Sequence, residues 1–121
     1  LRPLVDAGVD VIHASNRRFW EPEFEGSNLN LAGWTKKITG LPTITVGSVG
    51  LESDFIGFYQ GEDEVKSAPI DDLVKRMDDK EFDMVAVGRA LLSDPEWVNK
   101  VKEGRYDEVI PFSKKHAENY Y

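Results

Sequence analysis

The sequence predicts an α/β fold with a parallel sheet, and three observations predict it. Short β-branched runs alternate with stretches of helical periodicity, glycines follow the helical stretches as stops, and the three apolar runs close alike, on Ser15, Gly47 and Gly88. Alternating β and α units imply parallel strands joined by right-handed crossovers. In such a sheet the three strand ends share one face, where α/β folds place their ligand sites.

Leu1, Leu4 and Val5 stand at helical spacing and Gly8 follows them. Residues 9–15 form a β-branched run short enough for a buried strand. Residues 16–30 are polar and aromatic without a period and read as a long loop. Leu31, Trp34 and Ile38 mark one helix face that stops at Gly40, and residues 42–47 are the second strand. Residues 50–69 carry Gly57, Gly61 and Pro69 and read as a loop with a short helix. Ile70, Leu73, Val74 and Met77 give an amphipathic stripe, and residues 82–87 form the third strand.

Arg89 to Leu92 reads as a single helical turn. Ser93 or Asp94 should cap the next helix, with Pro95 in its first turn, Glu96 placed for a capping box, and Trp97, Val98 and Val101 on the buried side. Gly104 ends it, and residues 105–121 read as an irregular tail, helical near its end.

Composition narrows the function. The chain has 121 residues and a net charge of -7, from 15 Lys and Arg against 22 Asp and Glu, which argues against nucleic acid or an anionic membrane as partner. It has no cysteine, so a disulfide scaffold and a thiolate metal site are ruled out. His13 and His116 lie too far apart for a short-spaced metal pattern, and no apolar run approaches the roughly 20 residues of a membrane span. The chain opens on Leu1-Arg2-Pro3 and holds three strands, few for any closed α/β domain, so a fragment of a longer protein is expected.

The chemistry concentrates at two strand ends. In Val46-Gly47-Ser48 the strand closes on a residue without a Cβ, and Ser48 adds a hydroxyl. In Val87-Gly88-Arg89 a helical turn follows at once, and helix starts attract anions. Arg89 faces the wrong end of that dipole unless an anion sits between the N–H groups and the guanidinium. Phosphate is the fitting anion; the competing reading is that the glycines serve tight turns and Arg89 pairs with a carboxylate. In the loop after the first strand, Phe19 and Trp20 either wall a substrate pocket or pack the loop down. Arg17, Arg18 and Phe24 lie in the same loop. His13, inside a strand, reads as a hydrogen-bonded core group.

The segments Ala7-Gly8-Val9-Asp10-Val11-Ile12, Gly40-Leu41-Pro42-Thr43 through Gly47-Ser48-Val49-Gly50, and Asp83 through Gly88-Arg89-Ala90-Leu91-Leu92-Ser93-Asp94-Pro95 resemble the Old Yellow Enzyme family of NADH:flavin oxidoreductases. The resemblance runs from residue 1 to about 112. It implies that the chain is the C-terminal portion, strands 6–8, of an FMN-binding (β/α)₈ TIM barrel. Gly47, Ser48, Gly88 and Arg89 would bind the FMN phosphate, and Phe19 and Trp20 would border the substrate. NADH or NADPH would be the reductant and an alkene conjugated to a carbonyl the substrate. The missing N-terminal half of the barrel would be the partner, a homo-oligomer is open, and the location would be cytoplasmic. The family's substrate-anchoring and proton-donating residues come mostly from the first five strands, so no catalytic residue is expected here. The alternatives are a flavin-free TIM-barrel enzyme binding a phosphorylated substrate, and a stand-alone half-barrel.

Overall fold

The computed structural model describes residues 1–52, 64, 65 and 68–118. The chain divides into two compact units, one of Leu1–Gly47 and Asp71–Ala86, the other of Ser48–Ile70 and Val87–Tyr121.

The first unit holds helix α1 (Arg2–Asp6), strand β1 (Ile12–Ser15), helix α2 (Leu31–Thr39), strand β2 (Thr43–Val46), helix α3 (Asp71–Asp78) and strand β4 (Met84–Val85). The three strands form one parallel sheet in the order β1-β2-β4, as the β/α alternation predicts. Each is shorter than the apolar run that announced it. The register pairs Ile12 with Thr43, Ala14 with Thr45, and Ile44 with Met84.

Paired residues in a parallel sheet share a face, so the strands sort into two sets. Ala14, Thr43 and Thr45 are buried on one face, where α2 packs on β1 and β2. His13, Ser15, Ile44, Val46 and Met84 share the other face. There His13 and Ser15 are exposed, Ile44 and Val46 half-buried, and Met84 is 41% exposed. His13 therefore is not the core group that its place in a strand suggested: it is exposed.

Asn30 fixes the entry to α2. Its backbone is extended, its side-chain Oδ1 accepts from Gly33 N–H at 2.8 Å, and its Nδ2 donates to Phe19 O and Thr45 Oγ1. One buried amide thus caps a helix, pins the loop and reaches the sheet. Gly40, in the left-handed region, ends the helix. α3 carries Asp71 and Asp72 in its first turn and Lys75 and Arg76 in its last, each favoured by the helix dipole. Of its predicted stripe only Leu73 is fully buried, and Val74 is exposed. Asp83 accepts from Thr43 N–H at 2.9 Å and from Lys36 Nζ at 2.6 Å, and these two bonds hold its carboxyl below the usual carboxylate range.

The second unit holds β3 (Glu64–Val65), α4 (Arg89–Ser93), α5 (Trp97–Lys102), a 3-10 turn (Tyr106–Glu108), β5 (Phe112–Ser113) and α6 (Lys114–Ala117). β3 and β5 pair antiparallel. Val49, Leu51, Ala90, Trp97, Val109 and Phe112 are its buried apolar residues. The short helix expected within 50–69 falls mostly outside the described residues.

Asp94 organises this unit. It is 1% exposed; Oδ1 accepts from Glu96 N–H at 3.0 Å, and Oδ2 accepts from Lys100 Nζ at 2.7 Å and Ile110 N–H at 3.1 Å. Burial opposes its ionisation, but the bonds from Lys100, Ile110 and Glu96 outweigh burial and hold its carboxyl below the ordinary range. This corrects the predicted capping box. Ser93 ends α4 and donates to Ala90 O and Ile110 O, while Glu96, the residue before α5, makes no side-chain cap. Val98 is also corrected: it is 55% exposed, and Trp97 carries the burial of α5.

Candidate functional site

The end of β2 is built by close backbone contact. Gly47 has φ 140°, and a Cβ there would stand 2.6 Å from Asn16 O. Gly47 O accepts from Phe19 N–H at 3.0 Å, and Asn16 N–H donates to Val46 O at 3.2 Å. The loop after β1 is thus laced to the end of β2, and the glycine is required by that lacing whatever else it does. The Asn16 Oδ1 atom is buried without a hydrogen-bond partner among the described residues, as is Trp34 Nε1.

Phe19 and Trp20 meet edge to face with ring centroids 5.1 Å apart. Phe19 is 5% exposed and anchors the loop; Trp20 is half-buried, its carbonyl held by Arg76. Arg76 also donates to Asn28 O and pairs with Asp72, so α3 clamps both ends of the loop. Glu81 lies 3.9 Å from Arg76; burial raises its pKa and the neighbouring Asp79 and Asp72 add to the rise, against the pull of Arg76.

Beyond the end of β1 this loop borders an open cavity of about 300 Å³, lined by Ser15, Asn16, Arg17, Arg18, Glu21, Pro22, Glu23 and Leu31. Arg18 pairs with Glu21 at 2.7 Å. The residue types of 16–30 announced a functional loop, but only the fold shows which of them reach one cavity. Phe19, Trp20 and Phe24 do not line it.

In the second unit Ser48 is buried with φ 53°, a left-handed conformation uncommon outside glycine, and its carbonyl accepts from Leu51 N–H at 3.1 Å. Gly88 precedes α4, and its carbonyl accepts from Leu91 N–H at 2.9 Å. A Cβ built on Gly88 meets nothing within 4 Å, so the backbone there borders open space. Arg89 is half-buried, its guanidinium 5.7 Å from the centre of the Phe112 ring. The cation is therefore oriented over an aromatic face beside an uncovered backbone segment.

These features suit an anion. A phosphate needs a backbone it can approach and a positioned cation, and Gly88 and Arg89 supply both within one unit. Gly47 and Ser48 are consecutive and carry the chain from the first unit into the second. Among the described residues no cluster of His, Asp or Glu could hold a metal, and no helix is long and apolar enough to cross a membrane. Sequence reasoning missed Asn30 and the buried role of Asp94. Both are short polar side chains at helix approaches, and only the identity of Asp94 as a cap candidate hinted at either.

No protein-family model matches the chain. The chain is similar to a protein named NADH oxidase from Thermoanaerobacter brockii, with 36% identity over 114 residues. The match covers 88% of this chain and 15% of that relative, so the chain spans a small part of the length of the protein it matches.

Proposed function

We propose that this chain is part of an NADH-dependent flavin oxidoreductase and supplies the phosphate-binding end of its FMN site. The observation that carries the reading is the 36% identity to a protein named NADH oxidase across 88% of the chain. The resemblance of the strand-end segments to the Old Yellow Enzyme family supports the finer assignment. In it the chain is strands 6–8 of a (β/α)₈ barrel, and the substrate is an alkene conjugated to a carbonyl.

The structure supports this in two ways. β1, β2 and β4 are parallel and in chain order, and the face bearing His13, Ile44, Val46 and Met84 lacks a covering layer within its unit. In a barrel that face would point to the lumen and be filled by side chains of the other strands. The Gly88–Arg89 corner fits a phosphate by its open backbone and its aligned guanidinium.

Arg89 would neutralise the phosphate with charge-assisted hydrogen bonds and Gly88 would admit it to the backbone, and the family resemblance assigns Gly47 and Ser48 to the same phosphate. FMN, when bound, supplies hydride transfer between a reduced nicotinamide and the alkene. The remaining residues would hold the pocket wall: Phe19 keeps the loop in place and Trp20 offers its half-buried ring to the substrate. The same corner would serve a phosphorylated substrate in a flavin-free barrel, and colour separates the two. The longer protein containing this chain should be yellow, as an oxidised flavoprotein is, and bleach when NADH is added without oxygen. A colourless protein that leaves NADH unconsumed would exclude the flavin reading.

A further inference from the structure

Helix α3 belongs to the same unit as the loop after β1, and one of its side chains enters that loop at two points. Arg76 Nε donates to Asp72 Oδ2 at 3.0 Å, one turn back on the helix, and this bond orients the guanidinium. The two terminal nitrogens then donate to different loop carbonyls, one to Asn28 O at 3.0 Å and the other to Trp20 O at 3.3 Å. These partners lie 48 and 56 residues away in sequence, and the Arg76 side chain is only 15% exposed. A planar guanidinium carries separate N–H groups in a rigid fork and can span two acceptors, whereas a lysine ammonium is a compact point charge.

The fork fixes the place of Trp20. On one side of it Phe19 is buried, its N–H donates to Gly47 O at 3.0 Å, and its ring meets the Trp20 ring edge to face. On the other side residues 21–26 are all exposed, and the chain returns at Asn28. Arg76 therefore holds both ends of the exposed stretch. Without it that stretch keeps the bond from Glu23 N–H to Leu29 O and the pair of Arg18 with Glu21, and both of these lie within the loop itself.

We propose that Arg76 is a positioning residue of the substrate pocket: it sets where the half-buried Trp20 ring stands, and through that ring which conjugated carbonyl compounds the pocket accepts. This role rests on the redox reading above, which puts Trp20 beside the substrate. Arg76 acts through Trp20 and takes no part in the chemistry.

A double-substitution cycle in the longer protein tests this, with cyclohexenone as substrate and NADH as reductant. Arg76→Ala should raise KM for cyclohexenone roughly tenfold and leave kcat and the FMN dissociation constant unchanged. Arg76→Lys keeps the charge beside Asp72 but cannot hold both carbonyls, so it should raise KM by part of that amount. Should Arg76→Ala fail to fold, Arg76→Lys carries the same comparison. Trp20→Ala raises KM by itself, and either Arg76 substitution added to it should raise KM no further, because the ring that was misplaced is gone. An arginine that merely stabilises the fold would give the same fold-loss in both backgrounds, and that result overturns the proposal. Unchanged KM in both Arg76 variants overturns it too, as does FMN binding that weakens in step with KM. A yellow protein that oxidises NADH and leaves cyclohexenone unreduced also sinks this proposal alone, since its pocket then takes no such substrate. A colourless protein that leaves NADH unconsumed sinks the redox reading, and this role with it.

Discussion

The two units hold together by different means. The first is a parallel sheet with one helix-covered face, in which many modest contacts repeat along regular elements: Thr43 and Thr45 buried under α2, and a ladder in fixed register. The second has helices of four to six residues and depends on a few irreplaceable groups. Asp94 ties three chain segments through Glu96, Lys100 and Ile110, and Gly50 lies so close beneath Trp97 that a Cβ would fall 2.7 Å from the indole ring. A regular element spreads its stability over many residues, whereas an irregular one concentrates it, so the same kind of substitution should cost more in the second unit.

Asp94→Ala should therefore be the most damaging change. It removes the buried partner of two N–H groups and of a half-buried Lys100 ammonium, which keeps its bond to Glu108 O, and these losses should together cost about 3 kcal/mol. Chemical denaturation should show that loss. The matched change in the first unit, Asp83→Ala, removes a partly exposed pair with Lys36 and one backbone bond, so it should cost about 1 kcal/mol. Equal losses would erase the contrast between the units.

Next in size come the glycines. Gly47→Ala sets a Cβ 2.6 Å from the Asn16 carbonyl and strains a φ of 140°, and Gly50→Ala sets one against Trp97 at a φ of 73°. Each should cost about 1–3 kcal/mol. Backbone cannot yield as a side chain can, so Gly47→Ala should be the worse of the two, read as a drop in melting temperature.

Acid provides a milder probe. The Asp94 and Asp83 carboxyls both sit below their ordinary range in the folded chain. A depressed carboxyl stabilises the fold above its unfolded pKa, and that contribution is lost as pH falls through the folded value. Stability should hold through neutral pH and fall below about pH 4, near where unfolded carboxyls take up protons. Asp94→Asn should flatten that fall more than Asp83→Asn does. A chain whose acid sensitivity is unchanged by Asp94→Asn would show that other carboxylates set it.

The contrast between units also explains what the sequence reveals. β1 and β2 are legible as short β-branched runs, and α2 and α3 as helical stripes that can be counted, although Leu73 alone of the α3 stripe is fully buried. The ends of the strands announce the glycines at 47 and 88 as well. His13 shows the limit of that logic: its place in a strand implies burial, but only the packing shows which face is covered. The hub at Asp94 leaves a single acidic residue before a proline, which reads as an ordinary helix cap. Its true partners, Lys100 and Ile110, lie 6 and 16 residues away, and no local pattern encodes them. The cavity is similar, because a loop without a period does not say which side chains converge.

If the Gly88–Arg89 corner holds the phosphate of FMN, titration of the apoprotein of the longer protein with FMN will show it. Arg89→Ala should raise the dissociation constant by roughly tenfold to a hundredfold, the worth of a charge-assisted bond of about 1.5–3 kcal/mol. Riboflavin, which lacks the phosphate, should bind wild type and variant alike. Arg105→Ala, whose guanidinium pairs only with exposed Glu103 and Glu108 among the described residues, should leave FMN affinity unchanged. Equal FMN affinity for wild type and Arg89→Ala would show that the phosphate is held elsewhere.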